Sequence, residues 1–143
     1  MKYSNEMSRE IIFDHLENPR NKKENSHYQQ KQLKNPACGD IVTVFLDLEH
    51  NQIKDLTYQV SGCSLCAASA SIMSEKLKNK TVKEAKDFTD NLVNMLTDQP
   101  YDQKILNEAL CFEGIKDIAP RIKCVTLPYK ALMAMVGVAN EKL

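Results

Sequence analysis

The segment Asn35-Pro36-Ala37-Cys38-Gly39-Asp40 places a thiol and a carboxylate with one residue between them, held between a proline and a glycine. A cysteine and an aspartate so close can serve as two ligands of one metal ion. The plainer alternative is a tight turn before a strand that happens to hold a cysteine, a residue type often buried as a small hydrophobe. Four more thiols follow at Cys63, Cys66, Cys111 and Cys124. Cys63 and Cys66 form a C-x-x-C, which can be a redox pair or half of a zinc knuckle. A thioredoxin-like pair expects an alternating strand–helix chain, and a knuckle expects a second C-x-x-C; the sequence offers neither. Cys111 lies between Leu110 and Phe112 and reads as core.

Composition narrows the setting. The 143 residues suit one domain that can bury a core without covalent staples. Nineteen basic and nineteen acidic residues balance, so there is no electrostatic footprint for nucleic acid and no hold on an acidic membrane surface. No apolar run is long enough to span a bilayer, and the polar opening is unlike a signal peptide. With an odd cysteine count and no secretory signal, the thiols are expected to be free and the compartment cytoplasmic. A monomer or weak oligomer is expected.

The elements that must position these groups follow from periodicity. Met7, Ile11, Ile12 and Leu16 predict an N-terminal helix that Pro19 stops, so residues 1–20 form a helix and its exit. A short edge strand is predicted near Tyr28 to Leu33. Val42, Val44, Leu46 and Leu48 then alternate, as do Leu56, Tyr58 and Val60 after a polar turn near Asn51. Two such runs predict a hairpin, which places the sheet at residues 28–61. Gly62 marks a switch to helices over 63–143, where Ala67, Ala68, Ala70 and Ser71 permit close packing on the sheet. Thr81 and Glu84 match a capping box opening a short helix, with further short helices after it. Pro128 is expected in the first turn of a last helix that turns Leu132, Met135, Val136 and Ala139 inward. The fold class is therefore α+β, a small antiparallel sheet of about three strands packed against several helices, in one domain over residues 1–143.

On that frame, Cys38 and Asp40 precede the first hairpin strand and Cys63 follows the second. Antiparallel strands return to the end where they began, which brings these three residues together. Cys124, expected just before the last helix, would supply a fourth ligand. Three thiolates and one carboxylate suit zinc, and thiolates suit iron–sulfur clusters as well.

Three ordered stretches, NPACGD, SGCSLCAASASIMSE and RIKCVTL, resemble the cysteine motifs of the SufU/IscU family, the NifU N-terminal type of iron–sulfur assembly protein. DHLENPRN is similar to that family's opening helix and its exit. The long interval from Cys63 to Cys124 and the stretch PRIKC resemble the SufU branch. The resemblance implies metal ligands at Cys38, Asp40, Cys63 and Cys124, bound zinc, and sulfur received from a SufS-like cysteine desulfurase that carries its own pyridoxal phosphate. Downstream iron–sulfur assembly proteins are implied as further partners. Cys38 is expected to be the sulfur acceptor, because its neighbour Gly39 changes dihedrals cheaply while Cys63 is tied to a helix. The alternative is a scaffold on which iron or a [2Fe–2S] cluster is held by the same ligands; a structural zinc domain without sulfur chemistry is a third reading. IscU-type scaffolds carry a histidine before the last cysteine within a chaperone-binding segment. Here Lys123 and APRIKC stand in those places, which argues against chaperone hand-off. Cys66 departs from the family pattern, and as a spare ligand, persulfide relay or oxidation liability it sits one helical turn beyond Cys63. Arg121 could attract an acidic patch or ligand near the site, though a solvated surface charge is the plainer reading.

Overall fold

The structure, a computed structural model, describes residues 4–138 and 142–143. Three antiparallel strands, β1 (Gln29–Asn35), β2 (Asp40–Glu49) and β3 (Gln52–Ser61), lie in the order β1-β2-β3. The helices are α1 (Asn5–Glu17), α2 (Ser64–Leu77), α3 (Val82–Leu96), α4 (Gln103–Leu106) and α5 (Ala119–Val136). A 3-10 segment, Asn107–Asp117, joins the last two. The expected small antiparallel sheet with helices against it is the architecture observed.

Alternation sets the hairpin register. Val42 pairs with Val60, Val44 with Tyr58 and Leu46 with Leu56, and five of these six side chains are fully buried. The chain reverses through His50 and Asn51, at φ 52° and 59°. Two left-handed residues match the right-handed twist of the flanking strands. The register then shifts between Asp47 and Leu48, leaving Lys54 as an extra residue on β3. Strict alternation from Leu56 would bury Lys54; the bulge turns Ile53 into the core instead.

Small side chains let α2 approach closely. Ala68, Ser69, Ala70 and Ser71 are all buried, and α2 packs against β3, α1 and α5. At the start of α3, the Glu84 N–H donates to Thr81 Oγ1 at 3.1 Å and the Thr81 N–H donates to Glu84 Oε1 at 3.0 Å, completing the predicted capping box.

Three helical expectations need correction. Helix α3 continues unbroken to Leu96 where separate short helices were expected, because Ala85, Phe88, Leu92 and Met95 keep one apolar stripe with no breaker between them. The next segment breaks at Asn107, at φ 49°, into α4 and the 3-10 run. The last helix begins at Ala119 rather than near Pro128, so Cys124 lies in its second turn instead of preceding it. Pro120 occupies the first turn, where a missing N–H costs nothing, and Pro128 sits inside the helix. Having no N–H, Pro128 cannot hydrogen-bond the Cys124 carbonyl four residues back. The next carbonyl, of Val125, accepts from the buried Ser69 hydroxyl at 2.5 Å, which ties the interrupted turn to α2. Leu132 is buried, Met135 and Val136 are half-buried, and Ala139 lies outside the described residues.

Candidate metal centre

Each candidate ligand is placed by a different piece of backbone. Cys38 lies in the four-residue turn between β1 and β2, where the N–H groups of Cys38 and Gly39 both donate to the Asn35 carbonyl, at 3.2 and 2.8 Å. Gly39 takes φ +73°, a left-handed position open to glycine without strain. Asp40 is the first residue of β2 and is fully buried. Cys63 is the N-cap of α2, and Cys124 is buried on α5.

These elements meet at one end of the sheet. Cys38 Sγ and Cys124 Sγ stand 3.4 Å apart. The ligand atoms of Cys38, Asp40 and Cys124 all lie within 4.8 Å of one another. Cys63 joins through Asp40, with its N–H donating to Oδ1 at 2.8 Å and its Sγ 3.7 Å from Oδ2. Gly62, at φ +145°, makes that approach possible: a Cβ there would overlap Asp40 Oδ1 and come 2.8 Å from Asp40 Cα.

The donor set fits a thiophilic ion. Ligands at zinc distances of ~2.3 Å for sulfur and ~2.0–2.2 Å for oxygen stand about 3.5–3.8 Å apart on a tetrahedron. The 3.4 and 3.7 Å separations lie within a few tenths of an ångström of that edge, whereas Cys63 stands outside the group whose ligand atoms all lie within 4.8 Å and would have to draw in to complete the set. Three sulfurs and one carboxylate also form a set that binds cations and has little other use for one another. Burial, with Asp40, Cys38 and Cys63 beside it, holds the Cys124 thiol well above the ordinary thiol range. A nearby positive charge is what such a thiol needs in order to ionise.

Two residues at this end were not singled out for the role they take. Arg121 stands one helical turn before Cys124 on α5. Its hydrogen bond to Cys124, and then the charges of Cys63 and Cys124, raise its pKa. It is solvent-exposed, as read from the sequence, and it also interacts with Cys124, Cys63 and Cys38. The i, i+3 spacing was the available signal. Asn35 is buried, receives the Ala37 N–H on its side-chain oxygen at 3.3 Å, and points its amide at Cys124 Sγ at 3.9 Å. Its signal was its place at the head of NPACGD.

The other thiols stay apart from this set. Cys66 is fully buried on the first turn of α2, and burial, reinforced by the nearby charges of Asp40, Cys63 and Cys38, pushes its thiol up to about 12. Cys111 is buried in the 3-10 segment and raised by burial, in keeping with a core residue. All five cysteines are free thiols, and no helix among the described residues is long and apolar enough to cross a membrane.

Comparison with known proteins agrees with this architecture. The chain is 34% identical over 135 residues to the zinc-dependent sulfurtransferase SufU of Bacillus subtilis, spanning 94% of this chain and 90% of that protein. It is 31% identical to the iron–sulfur cluster assembly scaffold protein IscU of Streptococcus pyogenes, over 85% of this chain and 77% of that one. The crystal structure of a protein described as an iron–sulfur cluster assembly scaffold for the SUF system, from Fervidobacterium islandicum, superposes with a TM-score of 0.80. That pair shares 31% identity and covers 92% of this chain and 98% of the other. The family model of the NifU-like N terminal domain matches residues 7–125, and the chain belongs to that family.

Proposed function

We propose that this protein is a zinc-dependent sulfur acceptor in iron–sulfur cluster assembly, taking persulfide sulfur from a cysteine desulfurase. The observation that carries the reading is the convergence of Cys38, Asp40 and Cys124, with Cys63 against Asp40, in a chain similar to a zinc-dependent sulfurtransferase along almost all its length. Cys38, Asp40, Cys63 and Cys124 are the residues that would hold zinc. Bound there, the ion would keep the thiols deprotonated at neutral pH, since it is the thiolate that acts as nucleophile.

The chain's own residues divide the remaining work. Cys124 is buried on a helix and Asp40 is fixed by the Cys63 amide, so both are held in place. Cys38 is half-buried in a turn, and no atom lies within 4 Å of where a Gly39 Cβ would stand. It is therefore the thiol that can reach a docked partner with least rearrangement. Its thiolate attacks the outer sulfur of the desulfurase persulfide. The bond from that sulfur to the desulfurase cysteine breaks, the desulfurase thiolate leaves, and the sulfur remains on Cys38 as a persulfide. Arg121, exposed beside the cluster, supplies positive charge where anionic sulfur gathers.

The test is anaerobic purification followed by metal analysis and a desulfurase assay. The expected result is near-stoichiometric zinc and faster turnover of a cysteine desulfurase when the protein is added. A coloured cluster transferred intact to an apo-protein, without stimulation of the desulfurase, would establish the scaffold reading in its place.

A further inference from the structure

A second group of ligand-type side chains lies away from the cysteines. His15 on α1, Glu75 on α2 and Glu108 in the 3-10 segment bring one ligand atom each to within 4.8 Å of one another. The His15 side chain has no accessible surface. Its Nδ1 is 2.7 Å from Ser71 Oγ, while its buried Nε2 has no hydrogen-bond partner. Nε2 faces Glu108 Oε2 at 3.6 Å, beyond the 2.7–3.2 Å range of an N–H···O bond. Two ligands on one tetrahedral ion with bonds of ~2.0–2.2 Å stand about 3.3–3.6 Å apart.

We propose that His15, Glu75 and Glu108 form a second site, for a divalent transition ion of zinc, cobalt or iron(II) type, independent of the cysteine cluster. Glu75 is twelve residues beyond Cys63 along α2, about 18 Å at 1.5 Å per residue, so the two sites share no ligand. One imidazole with two carboxylates suits a borderline ion rather than magnesium or calcium. With Nδ1 donating to Ser71 Oγ, which also accepts the Arg20 N–H at 3.0 Å, the ring is oriented and the Nε2 lone pair is left for the metal; the opposite direction would place the proton on Nε2. Glu75 also lies in the last turn of α2, where the helix dipole favours a cation.

Two cations compete for these carboxylates. Lys76 Nζ is 3.3 Å from Glu108 Oε1, and Arg20 Nε is 3.3 Å from Glu75 Oε2 while its Nη2 holds Asp14 at 2.7 Å. Glu75 and Glu108 are thus each paired with one cation, which an incoming ion must displace. The competition makes this the weaker of the two sites, filled after the cysteines. Because its ligands come from three elements, the ion clips α1 to the body of the protein.

Native mass spectrometry of the full chain titrated with zinc reads both sites, and cobalt identifies them. Wild type is expected to take a second ion whose cobalt form lacks the thiolate charge-transfer band of the cysteine cluster. His15→Gln and Glu108→Gln should keep the thiolate-bound ion and weaken the second by about tenfold or more. Lys76→Gln, by removing the competing ammonium, should tighten it. Circular dichroism checks folding, and should His15→Gln fail to fold, the partly exposed Glu108→Gln decides. A wild type that takes no thiolate-free ion, or a Glu108→Gln variant that binds it as wild type does, overturns the proposal.

Discussion

The Cys63 amide donates to Asp40 Oδ1 at 2.8 Å, so the end of one strand and the start of another are joined through a carboxylate rather than a backbone rung. One Asp40 oxygen is thereby committed, and the other is left facing Cys63 Sγ at 3.7 Å. The carboxylate is oriented by the fold itself.

That contact depends on Gly62. In Gly62→Ala the new methyl would collide with the Asp40 carboxylate, at a backbone φ of +145° that L-residues avoid. The expected outcome is a loss of about 1–3 kcal/mol of stability from backbone strain, together with loss of bound zinc. Thermal unfolding and metal analysis of the purified variant measure the two effects. A variant with wild-type zinc content would show that Asp40 can be held another way.

Cys38→Ala should behave in the opposite manner. Cys38 sits in a turn and is only half-buried, so the stability of the metal-free protein should change by less than about 1 kcal/mol. Stimulation of a cysteine desulfurase should vanish, and mass spectrometry should find no added sulfur on the chain. Retained stimulation would move the acceptor role to another thiol.

Arg121→Gln should leave the fold intact, because the side chain is exposed. Without its hydrogen bond and charge, the Cys124 thiolate loses a stabilising neighbour. In metal-free protein, Cys124 should then react more slowly with iodoacetamide at a given pH, with Arg121→Lys restoring part of the rate. Peptide mapping after timed alkylation gives the rate for each cysteine.

Alkaline pH should destabilise the metal-free protein. Burial raises the Cys66, Cys111 and Cys124 thiols above their ordinary value of 9.0, Cys66 to about 12. Above pH 9 the unfolded chain therefore gives up these protons before the folded one does. Stability is complete below that pH and falls as pH rises toward the folded values, by about 1.4 kcal/mol per pH unit for each such thiol. In urea titrations between pH 8 and 11, Cys66→Ala should flatten the decline; an unchanged slope would mean that Cys66 ionises in the folded protein as freely as in the unfolded chain.

Much of this was legible in the sequence because it is local. Alternation at Val42, Val44 and Leu46 gave the strand and its inward face, and hairpin geometry then placed Asp40 beside Cys63. The capping box at Thr81 is a contact between near neighbours and was read correctly. The start of α5 was not legible, because two prolines, Pro120 and Pro128, each suit a first helical turn and only packing against α2 and the sheet decides between them. Arg121 reads from the sequence chiefly as a surface charge: Cys124 is one helical turn away, but Cys63 and Cys38, which complete its anionic surroundings, are distant along the chain. The His15 cluster escaped for the same reason, being assembled from three elements whose order along the chain gives no hint that they meet.

The placement of Cys124 on α5, after every other element of the fold, has a bearing on biosynthesis. A nascent chain that has emerged from the ribosome only as far as Ile118 already contains the sheet and most of the helices, but not the fourth donor, Cys124. The complete set of four donors therefore exists only once α5 has been made, whereas Cys38, Asp40 and Cys63 are already present on the partial chain.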